Sequence, residues 1–113
     1  MPLVINEQQK GAVTVLAPQG PLIQEDADRL RERAVTLLGR SHGRLVLDVS
    51  GVPFVDSKGL ETLLDLNDRL LESGQSLKLC GVNATLREVL SLTELTGKFE
   101  QFHDADTAVR SFL

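Results

Sequence analysis

The chain of 113 residues carries 12 Lys and Arg against 16 Asp and Glu, a net charge of −4, and its length suits one domain spanning residues 1–113. Hydrophobic residues make up 42%, with 21 Leu and 11 Val but only 4 Phe and no Tyr or Trp, so an aliphatic core is expected and a surface that tracks nucleic-acid phosphates or stacks bases is not. The single cysteine, Cys80, excludes an internal disulfide and fits a reducing cytoplasm, while no basic leader and no apolar run of ~18 residues points to secretion or membrane insertion.

Leu3-Val4-Ile5 and Val13 to Ala17 are expected to pair as an antiparallel hairpin, because Val13, Val15 and Ala17 alternate with period two and polar residues ending at Gly11 separate the runs. Pro18 and Gly20-Pro21 are expected to stop the second strand, since proline cannot donate to a ladder. From about Gln24 to Leu38, Ala27, Leu30, Ala34, Leu37 and Leu38 recur at helical spacing, with acids mostly first and bases later, as the helix dipole favours. Leu45 to Val49 is a near-continuous apolar run of strand length, typical of a strand covered on both faces.

Leu60, Leu63, Leu64, Leu70 and Leu71 predict a second helical stripe closed at Ser73-Gly74; Asn67 falls on it and needs a hydrogen-bond partner. Leu77 to Cys80 reads as a short strand, and Leu86, Val89 and Leu90 as a third helix with Thr85 and Glu88 in capping-box spacing. A strand near Phe99 to Phe102 leads to a last helix carrying Ala108, Val109 and Phe112, capped from Asp104 or Asp106. Strands and helices alternating after a hairpin predict an α/β fold: a mixed sheet of about five strands, parallel in its centre, with about four helices.

Catalytic equipment is sparse. His42 and His103 lie ~60 residues apart without metal-ligand spacing and read as surface histidines. No G-x-S-x-G elbow is present, and Thr96-Gly97-Lys98-Phe99 lacks the first glycine and the Ser or Thr of a phosphate loop. Asn83-Ala84-Thr85 matches a glycosylation triplet but reads as a helix start, and Cys80, at the end of a buried strand, reads as a small hydrophobe. No cofactor is implied.

One segment stands apart. From Leu45 to Leu60 the chain runs strand, loop, Asp56, Ser57, Lys58, Gly59, helix, which sets Ser57 at a helix N-terminus, where free N–H groups and the dipole favour an anion. Phosphorylation would add roughly −1.5 to −2 charges there, tolerated by the helix but not by an acidic or apolar surface docked beside Asp56. The residues equally accommodate a plain helix cap with Gly59 easing a tight turn.

This segment resembles the signature of the STAS domain family of anti-sigma factor antagonists: a strand ending in D-L-S, then x-x-F-[IMV]-D-S-[ST]-G-L entering a helix. The order of elements matches from Leu3 to Leu113. The resemblance implies that Ser57 is the target of a serine kinase that is itself the anti-sigma factor, and that Asp56, Ser57 and Gly59 form the phosphorylation loop, with Lys58 and Leu60 in the partner-binding segment. Asp48 matches the acid at the end of the preceding strand. Lys58 stands where the family usually has Ser or Thr and could pair with a phosphate; Ile23 stands in Gly20-Pro21-Leu22-Ile23 where the family often has an acid.

The resemblance implies a cytoplasmic, non-enzymatic regulator that binds its kinase partner while unphosphorylated and releases it once Ser57 is phosphorylated, with a homo-oligomer compatible. The alternative is a constitutive STAS scaffold or accessory subunit of a transport, secretion or signalling complex, with the helix from Leu60 to Leu71 as its docking face and Ser57 a cap. An ester hydrolase would need turnover abolished by Ser57→Ala.

Overall fold

The computed structural model describes residues 3–113; Met1 and Pro2, at the start of the expected 1–113 unit, lie outside the described residues. The hairpin forms as expected but is longer. β1 (Val4–Lys10) pairs antiparallel with β2 (Val13–Gln19) along its whole length, from Val4 opposite Gln19 to Lys10 opposite Val13. Asn6 to Gln9 belong to the strand because β1 is an outer edge, where exposed polar side chains cost nothing and discourage further pairing. Pro18 does not stop β2: it lies opposite Ile5, past the last residue that pairs with the next strand, where a missing N–H removes no bond on that side.

β3 (Leu45–Asp48) is the central strand of a five-stranded sheet in the order β1-β2-β3-β4-β5, where β4 is Lys78–Cys80 and β5 is Glu100–Phe102. From β2 to β5 the neighbours run parallel. The connections contain α1 (Gln24–Ser41), α2 (Ser57–Leu71) and α3 (Ala84–Leu92), and α4 (Ala105–Arg110) follows β5. Helices α1, α2 and α3 bury Leu30, Ala34, Leu63, Leu66, Leu70, Leu86 and Leu90 against Leu16, Leu45, Leu47 and Leu79 of the sheet. The opposite face carries Val13, Val15, Val46 and Cys80, covered by Ala108 with Phe102, Val109 and Phe112 beside it. Alternate residues of β3 thus enter two cores, which explains its unbroken apolar run.

Two sequence expectations change in detail. The buried stripe of α2 is Leu63, Leu66 and Leu70 with Thr62 and Asn67, whereas Leu71 is 53% exposed and Leu60 and Leu64 are half-buried. Packing along α1 rotates the helix toward Thr62, whose hydroxyl donates to Ala27 O at 3.2 Å. The cap of α3 is Asn83, which accepts from Leu86 N at 2.8 Å and donates to Val52 O at 2.7 Å, so the Thr85–Glu88 pair is not the cap. Asn67 does find its partner, accepting from Leu77 N at 2.8 Å, and Asp104 caps α4 by accepting from Thr107 N at 2.8 Å.

Candidate functional site

The chain from Val49 to Asp56 is a loop by path but is tied down nearly residue by residue. Val49 N donates to Cys80 O at 3.0 Å, Gly20 N to Gly51 O at 3.0 Å, Leu22 N to Phe54 O at 3.1 Å and Asp56 N to Leu22 O at 3.3 Å. Leu22 and Val55 make an isolated parallel bridge, and both Leu22 and Val52 are fully buried. The segment leaving β2 therefore serves as a rail along which the loop reaches α2.

At the end of that rail Asp56 is the N-cap of α2. Its Oδ1 accepts from Gly59 N at 2.8 Å, and its Oδ2 accepts from Gln24 N at 3.1 Å, joining the starts of α2 and α1 through one carboxylate. Gln24 holds a left-handed φ of 47° at this junction. Gly59 is required by contact rather than by φ: a Cβ there would lie 2.3 Å from Leu22 O and 3.1 Å from Val55 Cβ. A carboxylate on one side and a missing side chain on the other thus press the first turn of α2 against the Leu22 backbone.

Ser57 is the first residue of α2 and is exposed, and among the described residues its hydroxyl makes no hydrogen bond. The N–H groups of Ser57 and Lys58 likewise have no acceptor among the described residues, leaving the positive end of the helix open beside the hydroxyl. Lys58 Nζ turns toward Asp28 of α1 at 3.8 Å, both side chains being nearly half exposed, a pair worth at most ~1 kcal/mol. Leu60 packs against the main core, while Phe54 is 48% exposed next to exposed Pro53, an apolar step just before the site.

Asp56, Ser57, Lys58, Gly59 and Leu60 are therefore brought together, but Asp48 is not joined to them by any hydrogen bond or ion pair among the described residues. Its Oδ1 accepts from Ser50 N at 3.0 Å, turning the chain out of β3. It also flanks Cys80, whose thiol is pushed up to about 12, first by burial and then by the Asp48 and Asp104 carboxylates. Sequence reasoning missed Leu22, Gln24 and Asp28, whose contacts with the site span about 30 residues and leave no local pattern. Phe54 was inside the motif, and its exposure needed the fold. Ile23, in place of an acid, is half-buried as the residue before α1.

The STAS domain family model matches residues 4–108. The chain belongs to the STAS domain family. Among solved structures, this STAS domain is similar to a candidate anti-sigma factor antagonist from Thermotoga maritima at 22% identity over 95% of this chain and 92% of that one, TM-score 0.86. The phosphorylated Bacillus cell fate determinant SpoIIAA is similar at 16% identity over 97% and 100% of the two chains, TM-score 0.73. The murine anion transporter Slc26a9 is similar at 22% identity over 93% of this chain and 18% of the transporter, TM-score 0.73. At such identities these likenesses establish the STAS fold, a mixed sheet with its antiparallel hairpin at one edge and four helices. No curated protein matches the sequence. Among the described residues, no helix of this STAS domain is long and apolar enough to cross a membrane.

Proposed function

We propose that this STAS domain, as a single unit over residues 1–113, is a cytoplasmic anti-sigma factor antagonist. It binds a serine kinase that is also the anti-sigma factor, through the Asp56–Leu60 turn and the neighbouring face of α2, and is released when Ser57 is phosphorylated. The observation that carries the reading is the exposed, unbonded Ser57 hydroxyl at the open N-terminus of a helix whose cap and backbone are anchored by Asp56 and Gly59. The name of the Thermotoga protein, an anti-sigma factor antagonist, and the phosphorylated form of the Bacillus protein both support this reading.

Phosphoryl transfer would need only an accessible hydroxyl here, since the kinase supplies ATP. The new dianion, roughly −1.5 to −2 charges, meets the free Ser57 and Lys58 N–H groups and the helix dipole, so the domain keeps its fold. Lys58, bound weakly to Asp28, is available to the phosphate. A partner docked over Phe54 and the α2 turn would instead have to bury that charge, which favours release. Asp48 acts in this reading as the residue that turns the chain toward the loop.

The test is incubation with the candidate kinase and ATP, site mapping by mass spectrometry, and capture of the kinase by wild-type protein, Ser57→Ala and Ser57→Asp. Phosphate on Ser57, with capture kept by Ser57→Ala and lost by Ser57→Asp, is expected. Capture indifferent to Ser57→Asp together with an unmodified Ser57 would overturn the switch. The likeness to a segment of the Slc26a9 transporter favours one second reading, a constitutive docking subunit. Its signature would be association with a transport complex that Ser57→Asp leaves intact.

A further inference from the structure

The Ser57 turn lies at the end of the sheet where the parallel strands finish. At the other end, where they begin, a cleft of about 410 Å³ opens between the end of α1, the start of β3 and the β1–β2 hairpin. Arg33, Arg40, His42 and Arg44 line it. The site is remote from Ser57: Asp28, which meets Lys58, precedes Arg40 by twelve residues of α1, or roughly 18 Å along the helix axis.

These cations are not equivalent. Arg33 is held by a fork of two bonds to Glu7, through Nε to Oε1 and Nη2 to Oε2, so its charge is matched and its position fixed. Gln9 is likewise occupied, accepting from Thr14 Oγ1 at 2.9 Å and donating to Gly11 O at 2.9 Å, and forms a neutral wall. Arg40 and Arg44 have no carboxylate partner among the described residues. Glu7 feels Arg40 as well as Arg33, which puts the Arg40 charge at the same opening.

A basic residue at the end of α1 would be expected from the helix dipole alone, and that accounts for Arg40. It does not account for Arg44, which lies outside the helix. His42 at φ 53° and Gly43 at φ 81° turn the chain back so that Arg44 shares the cleft with Arg40. The outcome is a positive surplus around one concave opening in a protein whose overall charge is −4. Two free guanidinium forks and an imidazole offer more donors than one carboxylate can accept, and suit the several oxygens of a phosphate.

We propose that this cleft is a second ligand site that takes a phosphate group, carried either by a small phosphorylated molecule or by a phosphorylated side chain of a partner protein. Arg40 and Arg44 grip the phosphate oxygens, His42 adds a third donor, and Arg33 is held at the rim by Glu7. The site needs no phosphate on Ser57 and does not depend on the role proposed for that residue.

The experiment is titration of ¹⁵N-labelled protein with pyrophosphate, ATP and a phosphoserine peptide at low ionic strength, following amide shifts. Saturable shifts at Thr14, His42, Gly43 and Arg44, with Ser57 to Leu60 unmoved, are expected. Arg40→Gln with Arg44→Gln should weaken binding by roughly tenfold or more, while Arg40→Lys with Arg44→Lys, which keeps the charge but not the fork, should recover only part of that loss. Tighter binding of ATP assigns the site to a small molecule, and tighter binding of the peptide to a partner side chain. Absence of saturable shifts, equal affinity in the double Gln variant, or a glutamate-rich peptide binding as tightly as pyrophosphate would overturn the proposal.

Discussion

Replacing Gly59 with Ala separates contact from helix propensity. An interior Gly→Ala change in a helix ordinarily gains about 0.5–1 kcal/mol. Here the new methyl would stand 2.3 Å from Leu22 O and 3.1 Å from Val55 Cβ, so α2 must retreat by about 1 Å to reach an ordinary C···O separation. The Leu22 carbonyl cannot yield freely, because it accepts from Asp56 N, and the retreat also pulls Gly59 N from Asp56 Oδ1. Overpacking of about 1–3 kcal/mol and a weakened cap of about 1 kcal/mol outweigh the propensity gain, for a net loss of about 2 kcal/mol. In a domain of this size that lowers Tm by roughly 8–16 °C. Gly39, inside α1 with nothing within 4 Å of the position a methyl would take, is the matched control, and Gly39→Ala should raise stability by about 0.5–1 kcal/mol. Urea and thermal unfolding followed by circular dichroism measure both. If the two variants shift in the same direction, the claim that Gly59 is selected by the Leu22 contact is wrong.

Other changes probe the caps, the core and the charges. Asp56→Ala removes the cap of α2 and the acceptor for Gln24 N together and should cost about 1–2 kcal/mol; Asp56→Asn keeps one acceptor oxygen and should lose less, with faster hydrogen exchange at Gln24 or Gly59 identifying the bond given up. Leu66 is fully buried while Leu71 is half exposed, so Leu66→Ala should cost about 2–5 kcal/mol and Leu71→Ala within about 0.5 kcal/mol, and the reverse order would mean that the face assigned to α2 is wrong. The Glu7 carboxyl is lowered, first by its hydrogen bond to Arg33, and that of Asp104 by hydrogen bonding from Thr107. A lowered folded pKa stabilises fully above the ordinary carboxylate value and is lost as pH falls through the folded one. The urea midpoint should therefore drop on acidification below the ordinary carboxylate range, and Glu7→Gln with Asp104→Asn should flatten that slope; an unchanged slope would contradict both shifts.

Much of the sheet was legible because its signals are local. Val13, Val15 and Ala17 alternate, Leu45 to Val49 has no polar break, and Asp104 sits where a cap is needed. What escaped depends on neighbours distant in sequence. The polar run Asn6 to Gln9 reads as a turn until β2 pairs with it, and Pro18 reads as a stop until β3 proves too short to reach it. The choice of Leu66 over Leu71 is made by α1 packing, not by periodicity, since both leucines fit a helical stripe. At the candidate site, the Asp56-Ser57-Lys58-Gly59 string was visible, whereas the reason for Gly59 lies in a backbone oxygen 37 residues earlier. Asp48 is singled out by the family resemblance, as the acid that ends a strand; the structure adds that its Oδ1 accepts from Ser50 N where the chain leaves β3.

The thin cover over the second sheet face has a practical consequence. Cys80 belongs to the small core beneath six-residue α4, with its thiol pushed up to about 12. Cys80 is only 1% exposed, and its raised pKa leaves the closed state with very little of the thiolate that alkylation needs. Alkylation must therefore wait for α4 to lift, and the ratio of the observed rate to that of an unfolded peptide thiol gives the free energy of that opening. A single cysteine thus turns detachment of the last helix into a chemically readable event, without a label being introduced anywhere in the protein.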